Sequence, residues 1–255
     1  MKIYTNSNNI LLTSNKGTLI TNLSVPSYDL VLTSEMKNFI LESGFIQTWR
    51  DTSTLKYSLD ATQNIMSSQP YWFDDVDGSS AVFFDDNDYL EISDHPEFHL
   101  SDDDFTFECH VKFIDDPLTK SFVPFSHGDD SDNMFTFYYP WATDKFAFYF
   151  EKNGNPKLFS FSGWLAKSDI WYHIAFSRKR TETNEEYRFY VDGVLIEMKI
   201  GEKGDFGDYE LPIQIGRYKT LNGYNVQTCS LYLDNIKFIK GDALYVKKSF
   251  NVPMR

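Results

Sequence analysis

The chain has 255 residues, 42% of them apolar and 17% aromatic, enough to bury a full core, which excludes a disordered chain and fits one large all-β domain with or without an appendage. Its net charge is −13, from 24 basic and 37 acidic residues, and residues 74–132 alone hold 15 Asp and 3 Glu against Lys112 and Lys120. Such an acidic surface repels phosphate, so nucleic acid is excluded as a partner, whereas divalent cations would be attracted.

The first residues, Met1-Lys-Ile-Tyr-Thr-Asn-Ser-Asn-Asn9, lack the apolar core of a signal peptide, and no run is long and apolar enough for membrane insertion. The sequence therefore predicts a protein made in a cytoplasm. Residues 1–46 carry 17 Ser, Thr or Asn and read as a leader. Within it Ile10–Leu12, Leu19–Ile20 and Tyr28–Leu32 suggest small strands, and Ser34–Ser43 suggests a short helix with Ser34 as its N-cap. Two readings of the leader stay open: it adds strands to the body, or it docks the protein onto an assembly or onto its own copies.

The body starts at residue 47. Phe105, Phe107, Cys109, Val111 and Phe113 alternate with Thr106, Glu108, His110 and Lys112, the period of a half-buried strand. Cys109 therefore reads as a buried free thiol, with no disulfide to Cys229. Phe146, Phe148 and Phe150 repeat the alternation, and Asn153-Gly154 then predicts a tight hairpin turn into Leu158–Phe161. Tyr187–Val191 and Val194–Ile196 flank a second hairpin turn, Asp192-Gly193. Short strands with turn residues between them and no long helix point to a two-sheet sandwich.

Five pieces in order, Trp49-Arg-Asp51, Asp60-Ala-Thr-Gln63, Ser68-Gln-Pro-Tyr71, Ala81–Asp85 and Asp88-Tyr-Leu90, are similar to the opening of laminin-G-like, concanavalin-A-like domains of bacteriophage tail, fibre and head-decoration proteins. The end of the chain, Leu231–Ile239 followed by Ala243–Pro253, resembles how these jelly rolls finish, and Tyr190-Val-Asp-Gly193 resembles their central hairpin. The resemblance implies an antiparallel jelly-roll sandwich over 47–255 and an N-terminal attachment or assembly segment over 1–46. It further implies a non-enzymatic virion protein that contacts other virion proteins through its leader, binds host-surface glycan and forms a homo-oligomer, by analogy a trimer.

Candidate sites follow from chemistry. A sugar needs a flat aromatic against its apolar face and polar groups for its hydroxyls, which nominates Tyr138, Tyr139, Trp141 and Trp164. Calcium needs six to eight oxygens, and Asp129, Asp130, Asp132 and Asn133 form the best such loop, with 74–78 and 85–88 equally acidic. Glucanases of the superfamily carry a Glu-x-Asp-x-(x)-Glu strand; none occurs here, so a glycanase or lyase is the alternative reading rather than the first. His95 and His99 are separated by Pro96 and read as a surface loop, not a zinc helix.

Overall fold

The computed structural model describes residues 2–6, 9–13, 19–24, 29–53, 58–74, 80–85, 87–129, 133–140, 143, 145–207, 209–217 and 230–255. Strands β1 (Lys2–Asn6), β2 (Asn9–Thr13) and β3 (Leu19–Ser24) form an antiparallel meander of their own, in register from Lys2↔Thr13 and Asn9↔Ser24. Then follow β4 (Leu30–Leu32), β5 (Phe39–Glu42), β6 (Phe45–Trp49), β7 (Ala61–Thr62), β8 (Tyr71–Asp74), β9 (Ser80–Phe84) and β10 (Leu90–Ile92). The longer strands are β11 (Phe105–Phe113), β12 (Phe122–Asp129), β13 (Asn133–Tyr139), β14 (Phe146–Lys152), β15 (Asn155–Phe161), β16 (Trp171–Arg180), β17 (Glu185–Val191) and β18 (Val194–Gly201). The short β19 (Ile213–Ile215) and the long β20 (Leu231–Lys240) complete the set.

Pairing arranges these strands as a jelly-roll sandwich. One sheet runs β18-β17-β16-β11-β20 and continues to β9 and β8; the other runs β15-β14-β13-β12-β19-β10-β7. Strand β6 pairs with β7 and with β8 and so joins the two sheets along one side. The aromatic content is spent between them. Phe107 stacks on Phe137 at 4.7 Å, Phe146 on Phe189 at 4.2 Å, and Phe148 meets Phe176 at 4.9 Å.

Both sequence-predicted hairpins form. Asn153 and Gly154 have φ of 52° and 71°, Asp192 and Gly193 of 48° and 74°, the left-handed pairs that a primed two-residue turn requires. Cys109 is buried and free, as its alternation predicts; Cys229 lies outside the described residues.

Two expectations need correction. Ser34–Ser43 is not a helix: a single 3-10 turn, Met36–Asn38, leads into β5. Ser34 caps nothing there, because its N–H donates to Asp234 Oδ1 (3.0 Å) and its hydroxyl bonds the Ser80 backbone. The expected boundary at residue 46 also falls inside the sandwich. Strand β4 pairs with β20, Asp29 Oδ2 accepts from Lys240 N (2.6 Å), and Trp49, fully buried, donates its indole N–H to Thr33 O (2.9 Å).

The strand expected to be half-buried is buried on both faces, apart from Lys112. The cause is the segment after β20, which folds back over the outer face of β11, β16 and β17. Thr106 Oγ1 donates to Asp242 O (2.9 Å), Ser177 Oγ to Tyr245 O (2.7 Å), and Phe250 N to Gly193 O (2.9 Å). Tyr245 and Phe250 stack at 3.7 Å. At Gly193 an added Cβ would lie 2.4 Å from Phe250 O, so both its positive φ and the close approach of the strap require glycine.

Candidate functional site

Beside the strap one row of that outer face stays partly exposed, and the strap's last residue, Arg255, reaches its Trp171 end. Antiparallel register places Phe45 opposite Tyr71, Tyr71 opposite Phe83, Phe83 opposite Tyr232, Tyr232 opposite Lys112, and Lys112 opposite Trp171. Six strands thus contribute one residue each to a single transverse line, five of them aromatic. Ring centroids are 4.5 Å apart for Phe45–Tyr71, 6.2 Å for Tyr71–Phe83 and 5.1 Å for Phe83–Tyr232, with Phe73 against Tyr232 at 5.0 Å. Tyr71 and Phe73 are exposed at 38% and 39%, and the others are half-buried. At about 4.8 Å per strand, the line from Phe45 to Trp171 is about 24 Å long.

The two ends of the row differ in charge. At the Trp171 end, Lys112 Nζ lies 4.8 Å above the Tyr232 ring and 5.4 Å from that of Trp171, and the Arg255 guanidinium lies 3.9 Å from Trp171. At the Phe45 end is a pocket of about 420 Å³ lined by Phe45, Met66, Ser67, Gln69, Tyr71, Asp85 and Asp88. Among the described residues no basic side chain lines it. Asp88 is 3% exposed, and burial, reinforced by the neighbouring charge of Asp85, raises its carboxyl to about 7 even though Asp85 N donates to Oδ2 at 2.9 Å.

The sequence-nominated aromatics do not gather at one place. Tyr139 is fully buried and Trp164 is 6% exposed; they pack on each other at 5.5 Å, with Trp164 also against Tyr172 and Phe189, so neither offers a face to a sugar. Tyr138 is half-buried on the outer side of the other sheet, and Trp141 lies outside the described residues. Of the nominated calcium ligands, Asp130 and Asp132 lie outside the described residues and Asp129 ends β12. The Asn133 side chain is already engaged, its Oδ1 accepting from Asn153 N at 3.2 Å. Among the described residues no three His, Cys, Asp or Glu side chains converge as a metal site would require. His99 instead bonds Asp94 at 2.9 Å and lies parallel to the ring of His127.

The row was within reach of the alternation in one respect. Period two turns Lys112, Trp171 and Tyr232 outward, but which strands lie side by side is a non-local fact, and only pairing aligns the residues.

The family model for the concanavalin A-like lectin/glucanases superfamily matches residues 84–239, well over half of the chain. The chain belongs to this superfamily. No curated protein matches the chain. Among solved structures, this concanavalin A-like chain is similar to the binding domain of botulinum neurotoxin serotype G (13% identity, TM-score 0.60) and to that of Paraclostridial mosquitocidal protein 1 (15%, 0.59). It also resembles a structure of botulinum neurotoxin type C, whose cell entry depends on interaction with two ganglioside molecules (10%, 0.55). In each case 86% of this chain is covered, against 48%, 50% and 49% of the other, so the chain spans about half the length of these structures. At such identities the likeness is one of fold, and the fold is one used by binding domains. Among the described residues, no helix of this superfamily member is long and apolar enough to cross a membrane.

Proposed function

We propose that the chain is a non-enzymatic glycan-binding module that lays a sugar chain along the Phe45–Tyr71–Phe83–Tyr232–Trp171 row. The observation that carries this reading is the in-register row itself. Flat aromatic faces next to charged groups at both ends match what a saccharide presents, an apolar ring face edged by hydroxyls. The superfamily membership and the binding-domain neighbours support the same reading, as does the neurotoxin named with gangliosides.

The setting of Asp85 and Asp88 supports a binding rather than a hydrolytic role. Their carboxyls belong to one turn, closed by Asp88 N to Asp85 O (3.1 Å) and by Asp85 N to Asp88 Oδ2. A glycosidase needs its two carboxyls flanking the scissile bond from different sides.

The resemblance to phage tail and fibre domains extends the proposal to an adhesion module on a virion, with the β1–β3 meander as part of its attachment segment, a homo-oligomeric state and calcium at the 129–133 turn. The test is binding of the full chain to a glycan array and to intact bacterial cells, with calcium and again with chelator. Saturable binding that free oligosaccharide competes away is the expected result, and loss of binding with chelator would assign calcium a part in it. No binding in either condition would overturn the reading.

A further inference from the structure

The pocket at the Phe45 end of the row sets the acceptors of Gln69, Asp85 and Asp88 against an apolar wall. Gln69 is 1% exposed and its amide orientation is fixed by its neighbours: Nε2 donates to Gln63 O at 2.7 Å and faces Glu42 Oε2 at 3.4 Å, both acceptors. A flipped amide would set oxygen against oxygen, so Oε1 is the atom left over, a buried acceptor with no hydrogen-bond partner on a residue that lines the pocket. A buried acceptor without a donor costs about 1–3 kcal/mol, which a ligand donor would recover. Asp88 spends one oxygen on Asp85 N, and Asp85 Oδ1 accepts from Asn87 N at 2.9 Å, leaving each carboxyl with further lone pairs and, among the described residues, no cation lining the pocket.

The occupant must therefore bring donors and positive charge. Calcium would need six to eight oxygens around it. Here one wall is Phe45, Tyr71 and Met66, with Met66 43% exposed, so only part of the lining can ligate an ion. An ammonium carried on a ring fits both halves: three N–H donors for Asp85, Asp88 and Gln69 Oε1, and an apolar face for Tyr71.

We infer that this pocket is a subsite for the free amine of an amino sugar, placed at one end of the aromatic row. The inference rests on the glycan-binding reading above and adds the class of sugar.

The test is calorimetric titration of the full chain with three oligosaccharides of equal length, built from glucosamine, N-acetylglucosamine or glucose, at pH 7 in moderate salt. The glucosamine oligomer is expected to bind at least tenfold more tightly than the other two. Asp85→Asn with Asp88→Asn should erase that preference. Because the whole chain is acidic, Glu182→Gln with Glu202→Gln, which removes the same charge from exposed positions elsewhere, is the control and should keep the preference. Equal affinity for all three sugars, or equal loss in both double variants, would overturn the subsite and leave the glycan reading standing. No binding of any sugar would overturn both. Calcium binding that requires Asp85 and Asp88 and displaces the amine would make the pocket a metal site instead.

Discussion

The outer face of the β11–β16–β20 sheet is two surfaces on one set of strands. Under the strap, the residues at Thr106, Glu108, His110, His173 and Ser177 are polar and buried; the strap supplies partners to Thr106, Glu108 and Ser177, and His173 Nε2 pairs with Glu108. One register step beyond, at Lys112, Trp171 and Tyr232, the strap reaches the row with Arg255 over Trp171, and the same alternation leaves the residues half-buried. Covered polar groups specify how the chain closes, whereas the partly exposed rings of the row keep a surface that a ligand can reach. The comparison predicts large stability effects on the covered side and small ones on the open side, with binding effects in the opposite order.

The largest expected effect is at Glu108. Burial raises its carboxyl, but His173 Nε2 at 3.3 Å, Lys237 Nζ at 3.4 Å and the Tyr245 hydroxyl outweigh it and bring the group down to about 2. A carboxyl held below its ordinary 4.5 stabilises the fold above that pH and loses the contribution as pH falls toward 2. Glu108→Gln should therefore cost about 3 kcal/mol at pH 7 and little near pH 2, read from urea melts across that range. A cost independent of pH would show that shape, not charge, holds the strap.

Asp88 runs the other way. Its folded-state carboxyl, raised to about 7, costs nothing below the ordinary 3.8, and the cost grows as pH climbs between the two values. Asp88→Asn should raise the melting temperature at pH 8, by at most about 4 kcal/mol of stability, and leave it unchanged at pH 4. Destabilisation at pH 8 would mean that the ionised carboxylate has a partner the pocket lining does not reveal.

Local chemistry made much of the fold legible in the sequence. The Asn153-Gly154 and Asp192-Gly193 turns need positive φ and found it, and Phe105 to Phe113 declared a core face by period two. What misled was local reading of non-local facts. The spacing of Met36, Phe39, Ile40 and Leu41 fits a helix, yet β5 pairs with β6 and ladder bonds override a short helix that could not stand alone. Tyr139 and Trp164 fit a sugar platform by residue type, yet the packing between the sheets claims them. Gln69 and Asp88 lay within pieces already singled out, but nothing in a linear sequence shows that they line one pocket beside Tyr71.

The smallest effect on stability, and the one most informative about function, is expected along the open row. Tyr71 and Tyr232 sit on different strands and touch different neighbours, with Phe83 between them in the line. Because each ring is partly exposed already, Tyr71→Ala or Tyr232→Ala should cost about 1 kcal/mol or less, a fraction of the cost of truncating a fully buried aromatic. If one sugar chain spans both rings, each variant should weaken binding tenfold or more, about 1.4 kcal/mol, and the double variant should lose roughly the sum. Affinity unchanged in both, with the melts unchanged as well, would place the ligand elsewhere. Loss at Tyr71 alone would confine it to the acidic pocket, and the row would then be a lip to one subsite rather than a track for an extended chain.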